Sequence, residues 1–188
     1  YRENVDLDKV KFYELLLSSA EFPKTSQASP AVLEGLLADA KAAGDEAVYI
    51  TLSSALSGTY QTACMVCEDV DCPGSFIFDG RNATGGQRLL VEYACRLRDE
   101  GKSAAEIVEA VQSIRNRIVL YACIDTLEYL YKGGRISQTA YNLGTLVNIK
   151  PIITVESDGS IGVPAKAMGM RKGMDYLCKQ VQQHLFCE

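Results

Sequence analysis

The sequence predicts an α/β fold made of two domains. Three observations carry that expectation. Compact apolar runs at residues 47–52 and 75–79 alternate with longer segments of helical period. No long linker or low-complexity tract interrupts the rhythm. Near Asn116 the order of elements changes, and strands begin to follow one another directly. Strands alternating with helices of this length imply a mainly parallel sheet flanked by helices on both faces. The expected division is a first α/β domain over residues 1–116 and a smaller, mixed-sheet α/β domain over residues 117–188.

The elements follow in order. Residues 8–19 set Val10, Tyr13, Leu16 and Leu17 on one face of a short amphipathic helix. Residues 22–30 carry two prolines and read as an extended segment. Ser29-Pro30 then has the form of an N-cap followed by proline at the first helical position. The helix it opens runs through Leu33, Leu36, Leu37 and Ala40 and stops at Gly44. A buried strand at 47–52 leads to a helix from Gly58 to about Glu68. A second strand at 75–79 leads to helices at 84–100 and 103–115, the latter with an Ile107, Val111, Ile114 stripe.

The second half reads differently. A strand is expected at 117–124, then a short capped helix at 125–130 broken by Gly133-Gly134. A helix at 137–147 precedes strands at 149–155 and 161–166, joined through a Ser157-Asp158-Gly159-Ser160 hairpin turn. A last helix covers about residues 170–186.

Composition narrows the function classes. The chain has 188 residues, 47% of them hydrophobic and 23% charged, with a net charge of -5. The longest basic run is Arg171-Lys172, so no nucleic-acid footprint is present. No apolar stretch is long enough for a transmembrane helix, and the polar N-terminus does not have the form of a signal peptide. Seven cysteines form an odd set in a chain this size. Reduced thiols in a cytoplasmic protein are therefore expected. Cys64 and Cys67 form a CxxC inside a predicted helix, with Cys72 five residues on. A zinc site wants a fourth ligand and the one histidine, His184, is remote in sequence, so packed thiols and no metal are expected.

Chemistry concentrates in two hydroxyl-rich stretches, residues 24–27 (Lys-Thr-Ser-Gln) and 53–60 (Ser-Ser-Ala-Leu-Ser-Gly-Thr-Tyr). The second lies between the end of a strand and the start of a helix, where α/β sheets collect ligands. Backbone N–H groups and the positive helix end favour an anion there, a carboxylate or a phosphate. Helix capping by the same hydroxyls is the competing reading. Ser57 as a nucleophile lacks the Gly-x-Ser-x-Gly elbow and an evident base. Lys132-Gly133-Gly134-Arg135 lacks the end of a Walker motif and reads as a C-cap turn with a structural arginine. Asp79 closes a strand where ligand contacts occur, or caps the next turn.

In order along the chain, Pro23–Gln27, Leu52–Tyr60, Ala83–Gln87, Asp125–Ser137 and Asn148–Pro151 together resemble the DegV family. The resemblance implies two α/β domains, the first with carboxylate-binding loops and the second burying an acyl chain. It implies a bound long-chain fatty acid, no cofactor and no catalytic residue of the chain's own. The partner it implies is a separate kinase subunit that phosphorylates the carboxylate. The family's carboxylate-binding hydroxyls fall on Thr25 and Ser57, with Ser26, Gly58 and Thr59 as further head-group contacts. An opening strand with an Asp-Ser motif, expected before Tyr1, and a C-terminal portion with a histidine, expected after Glu188, are not in this sequence. The chain is thus expected to be a fragment. A family arginine near the last helix aligns with Met168, with Arg171 nearby. Besides a lipid carrier, two readings stay open: an interaction domain with a vestigial site, and a hydrolase using Ser57.

Overall fold

A computed structural model describes residues 6–142 and 148–184. Helix α1 (Lys9–Ser18) starts where the Asp8 side chain accepts the Lys11 N–H at 2.8 Å. Its apolar side is not covered by packing: no residue of α1 is buried, and Val10 and Leu17 are 71% and 81% exposed. An extended segment leads to α2 (Pro30–Ala43), which begins with proline at its first position and ends at Gly44 in the left-handed region. Ser29 occupies the N-cap position, yet its hydroxyl makes no capping bond.

Strands β1 (Val48–Thr51) and β2 (Phe76–Asp79) pair in parallel, Tyr49 opposite Ile77 and Ile50 opposite Phe78. Between them runs α3 (Thr59–Val70), and after them α4 (Thr84–Asp99) and α5 (Ala104–Arg115). Side chains of a strand alternate between faces. Tyr49 and Ile77 therefore pack on Leu33, Leu37 and Ala63 of α2 and α3. Val48, Ile50 and Phe78 pack on Leu90, Ala94, Ile107 and Val111 of α4 and α5. The sheet is covered on both faces, as the alternating pattern predicted. Burying each Leu or Val of these layers contributes about 1.5–3 kcal/mol.

In the second half, β3 (Tyr121–Cys123) is followed by α6 (Glu128–Lys132) and α7 (Gln138–Asn142). Residues 143–147 of the helix expected at 137–147 lie outside the described residues. Then come β4 (Ile149–Val155), β5 (Ile161–Met168) and α8 (Gly169–Gln183). The order is β3-β4-β5: β4 and β5 pair antiparallel, as the expected hairpin turn requires, and β3 also pairs antiparallel with β4, where a mixed sheet was expected. The five residues between β4 and β5 permit only a hairpin, because a parallel return needs a longer crossover. Helix α8 lies close against this sheet: Gly173 is buried, and a Cβ there would come 2.2 Å from Cys123 Sγ. The β1–β2 sheet falls within residues 1–116 and the β3–β5 sheet within 117–188.

Candidate functional site

Parallel strands end on the same edge, so the loops after β1 and β2 are neighbours. The turn 53–57 is closed by the Ser53 carbonyl, which accepts the N–H groups of Leu56 (3.0 Å) and Ser57 (3.1 Å). The Ser53 N–H donates to the Asn82 carbonyl at 2.9 Å. Asp79, at the end of β2, receives the Ser54 N–H at 3.1 Å and the Ser54 hydroxyl at 2.5 Å. It also receives the Arg81 N–H at 2.9 Å, as a local cap would. Asp79 is therefore both a cap and a brace for a loop 25 residues earlier.

Ser57 stands immediately before α3, half-buried. Its Oγ accepts the Thr59 N–H at 3.3 Å and lies 2.8 Å from Thr59 Oγ1. Capping and ligand binding are compatible here. A hydroxyl has one donor and two acceptor positions. Either hydroxyl of the pair can donate to the other, and whichever accepts keeps its own proton for an outside acceptor. Gly58 occupies the N-cap position, and α3 directs its positive end at the same place.

The extended segment at residues 22–29 reaches this loop through Gln27. Its Nε2 donates to Thr62 Oγ1 at 2.6 Å. Its Oε1 lies so close to Gly58 that a Cβ there would come within 2.7 Å. Thr25 and Ser26 are exposed in this segment. Thr25 lies two positions before Gln27, about 7 Å of extended backbone. Of the sequence-derived candidates, Ser57, Gly58 and Thr59 share one turn, while Thr25 and Ser26 are exposed in the segment just before Gln27, which contacts that turn.

Two arginines adjoin the site. Arg115, from the end of α5, donates from Nη1 to the Asp79 carbonyl at 3.0 Å and lies over the Phe78 ring. Burial, then the nearby Arg81 charge, pushes its pKa down. Arg81 adopts φ 42° and sits 3.8 Å from Asp79. A hydrogen bond with Cys64, then burial, raises the Tyr60 phenol, keeping it neutral. Asn82 is 3% exposed and packs against Gly86, where a Cβ would come 1.8 Å from its Oδ1. Tyr60 belongs to the hydroxyl-rich stretch and Arg81 and Asn82 to the strand-closing segment after Asp79, but Arg115 went unread in the sequence, because its pairing depends on which strand ends adjoin.

The remaining candidates lie elsewhere. Cys64 and Cys67 are half-buried in α3 and Cys72 is buried beyond it; burial raises the Cys67 thiol, so the unreactive form dominates. Among the described residues no three His, Cys, Asp or Glu side chains gather where a metal ion would fit. His184 closes α8 next to the Tyr121 ring. A groove of ≈ 360 Å³ between α4 and α5 is lined by Leu97, Lys102, Glu106, Glu109, Ala110 and Ser113. It lies at the end of α4 away from Thr84, and its charged wall does not suit an apolar ligand.

The family model described as "Uncharacterised protein, DegV family" matches residues 1–185. The chain belongs to the DegV family. It is 38% identical to a DegV domain-containing protein of Caldanaerobacter subterraneus subsp. tengcongensis, over 94% of this chain and 62% of that protein. The chain thus spans less than two thirds of that relative. A solved DegV family protein from Thermus thermophilus, described by its fatty acid binding, superposes with a TM-score of 0.86 at 28% identity. That match covers 98% of this chain and 65% of the other. The Streptococcus pneumoniae fatty acid kinase B3 protein, loaded with linoleic acid, gives a TM-score of 0.84 at 25% identity. It covers 95% of this chain and 64% of that one. Among the described residues no helix is long and apolar enough to cross a membrane.

Proposed function

We propose that this DegV protein binds a long-chain fatty acid, with Thr25 and Ser57 holding its carboxylate. The observation that carries the reading is Ser57, whose hydroxyl accepts the Thr59 N–H at 3.3 Å and lies 2.8 Å from the Thr59 hydroxyl, at the start of α3. A carboxylate accepts hydrogen bonds and is favoured at a helix N-terminus. Ser26, Gly58 and Thr59 complete the head-group surroundings. The acyl chain is assigned to the second half and supplies most of the affinity, at about 0.8 kcal/mol per buried CH₂.

The protein is, on this reading, a carrier and not itself an enzyme. It presents the carboxylate to a separate kinase subunit, and the likeness to the fatty acid kinase B3 protein supports that role. A hydrolase would need a base at Ser57, whereas His184 lies beside Tyr121 on the other sheet.

Native mass spectrometry of the protein from a bacterial host, without added lipid, tests the reading. A mass increment matching a long-chain fatty acid is expected. Folded full-length protein that is consistently lipid-free would count against it. Thr25→Val and Ser57→Ala should retain the lipid yet slow its phosphorylation, since a hydrogen bond to a charged group is worth about 1.5–3 kcal/mol.

A further inference from the structure

The turn that carries Ser57 is held at both ends by the second half of the chain. At one end the Ser53 hydroxyl, 0% exposed, donates to the Gly159 carbonyl at 2.7 Å. At the other, Arg135 Nε donates to the Leu56 carbonyl at 3.1 Å, directly before Ser57. The rest of the guanidinium is held in turn, with Nη1 bonded to the Gly133 carbonyl. Gly134 follows at φ 76°, a conformation that favours glycine and lets the chain fold back so that Arg135 reaches across. Gly159 sits at φ 88° in the β4–β5 hairpin, and a Cβ there would come 2.1 Å from Ser53 Oγ and 3.2 Å from Arg81 Cα. A side chain at that position would push the hairpin off the loop.

The turn is already closed locally by the Ser53 carbonyl and by Asp79, and these two hydrogen bonds span 106 and 79 residues of sequence. Their effect is to fix where the turn lies relative to the second sheet. We infer that Arg135 and the Ser53–Gly159 pair are positioning residues. They set the Ser57 hydroxyl at the place where a ligand lodged in the second half presents its head. The Gly-Gly-Arg segment thereby acquires a role in head-group recognition without touching the ligand. The inference rests on the fatty-acid reading above and deepens it.

The test compares palmitate with 1-hexadecanol, which has the same chain without the carboxylate, by displacement of a fluorescent fatty acid from the full chain. Wild-type protein should prefer palmitate, and Ser57→Ala should lose that preference. Arg135→Gln should weaken palmitate roughly tenfold, the scale of one charge-assisted hydrogen bond, while hexadecanol binding is unchanged. In the Ser57→Ala background Arg135→Gln should have no further effect on palmitate. Ser53→Ala, which releases the other end of the turn, should repeat the acid-selective loss and serves if Arg135→Gln does not fold. Equal losses for both ligands would reduce these residues to general structure and overturn the inference. So would unchanged palmitate binding in Arg135→Gln and Ser53→Ala while Ser57→Ala loses it, leaving the fatty-acid reading intact. Wild-type protein that binds neither ligand would sink both.

Discussion

Gln27 donates a 2.6 Å hydrogen bond from Nε2 to Thr62 Oγ1, on the second turn of α3. This bond ties the segment that carries Thr25 and Ser26 to the helix that follows the Ser57 turn.

Removing it should therefore act on ligand binding more than on the fold. Gln27→Leu and Thr62→Val should each weaken fatty-acid binding roughly fivefold, the effect of one neutral hydrogen bond of about 1 kcal/mol. The double variant should be no worse than either single one. Titration of the four proteins with one fluorescent fatty acid checks this; additive losses would mean the pair does not act as a unit.

Gly80 follows β2 at a close approach of two backbones. A Cβ there would lie 2.6 Å from the Thr51 carbonyl oxygen, which cannot rotate away as a side chain can. Gly80→Ala should cost about 1–3 kcal/mol through forced displacement. Urea unfolding reads the loss directly.

The layer between the parallel sheet and α4–α5 centres on Leu90, 0% exposed against Phe78 and Val111. Leu90→Ala should cost about 2–5 kcal/mol. Met65→Ala, at an exposed position of α3, is the control and should fall within about 0.5 kcal/mol of wild type.

Acid should loosen the start of α5. Ser103 donates its N–H and hydroxyl to Glu106, closing a capping box, and Lys102 adds a third donor. These bonds lower the Glu106 carboxyl from its ordinary 4.5 to about 2. A depressed carboxyl contributes stability that is complete above the unfolded value and is lost as pH falls through the folded one. The contribution should thus be present above pH 4.5 and disappear towards pH 2. Glu106→Gln should be less stable than wild type at neutral pH, and the gap should narrow across that window. A gap independent of pH would remove the carboxylate from the argument.

Much of the fold was legible because its causes are local. Pro30 and Gly44 bound α2, and the period-two alternation of Tyr49 against Ile50 separates two helical layers. The helical period at Val10, Tyr13 and Leu17 was also legible, but a period states only which side is apolar and not whether anything covers it. In the second sheet the β4–β5 hairpin was legible from its short turn, whereas the antiparallel β3–β4 pairing depends on partners that alternation does not name. The site divides the same way. Ser57 and Gly58 stand out at a strand-to-helix junction. Asp79 bracing Ser54 and Arg135 reaching Leu56 join residues 25 and 79 positions apart, where spacing carries no signal.

On the proposed reading a fatty-acid carboxylate rests on Thr25 and Ser57. Carbon-13 NMR of carboxyl-labelled palmitate bound to the protein tests it most directly. One bound carboxyl resonance is expected, distinct from free palmitate and shifted in both Thr25→Val and Ser57→Ala. A bound resonance that neither substitution moves would contradict it.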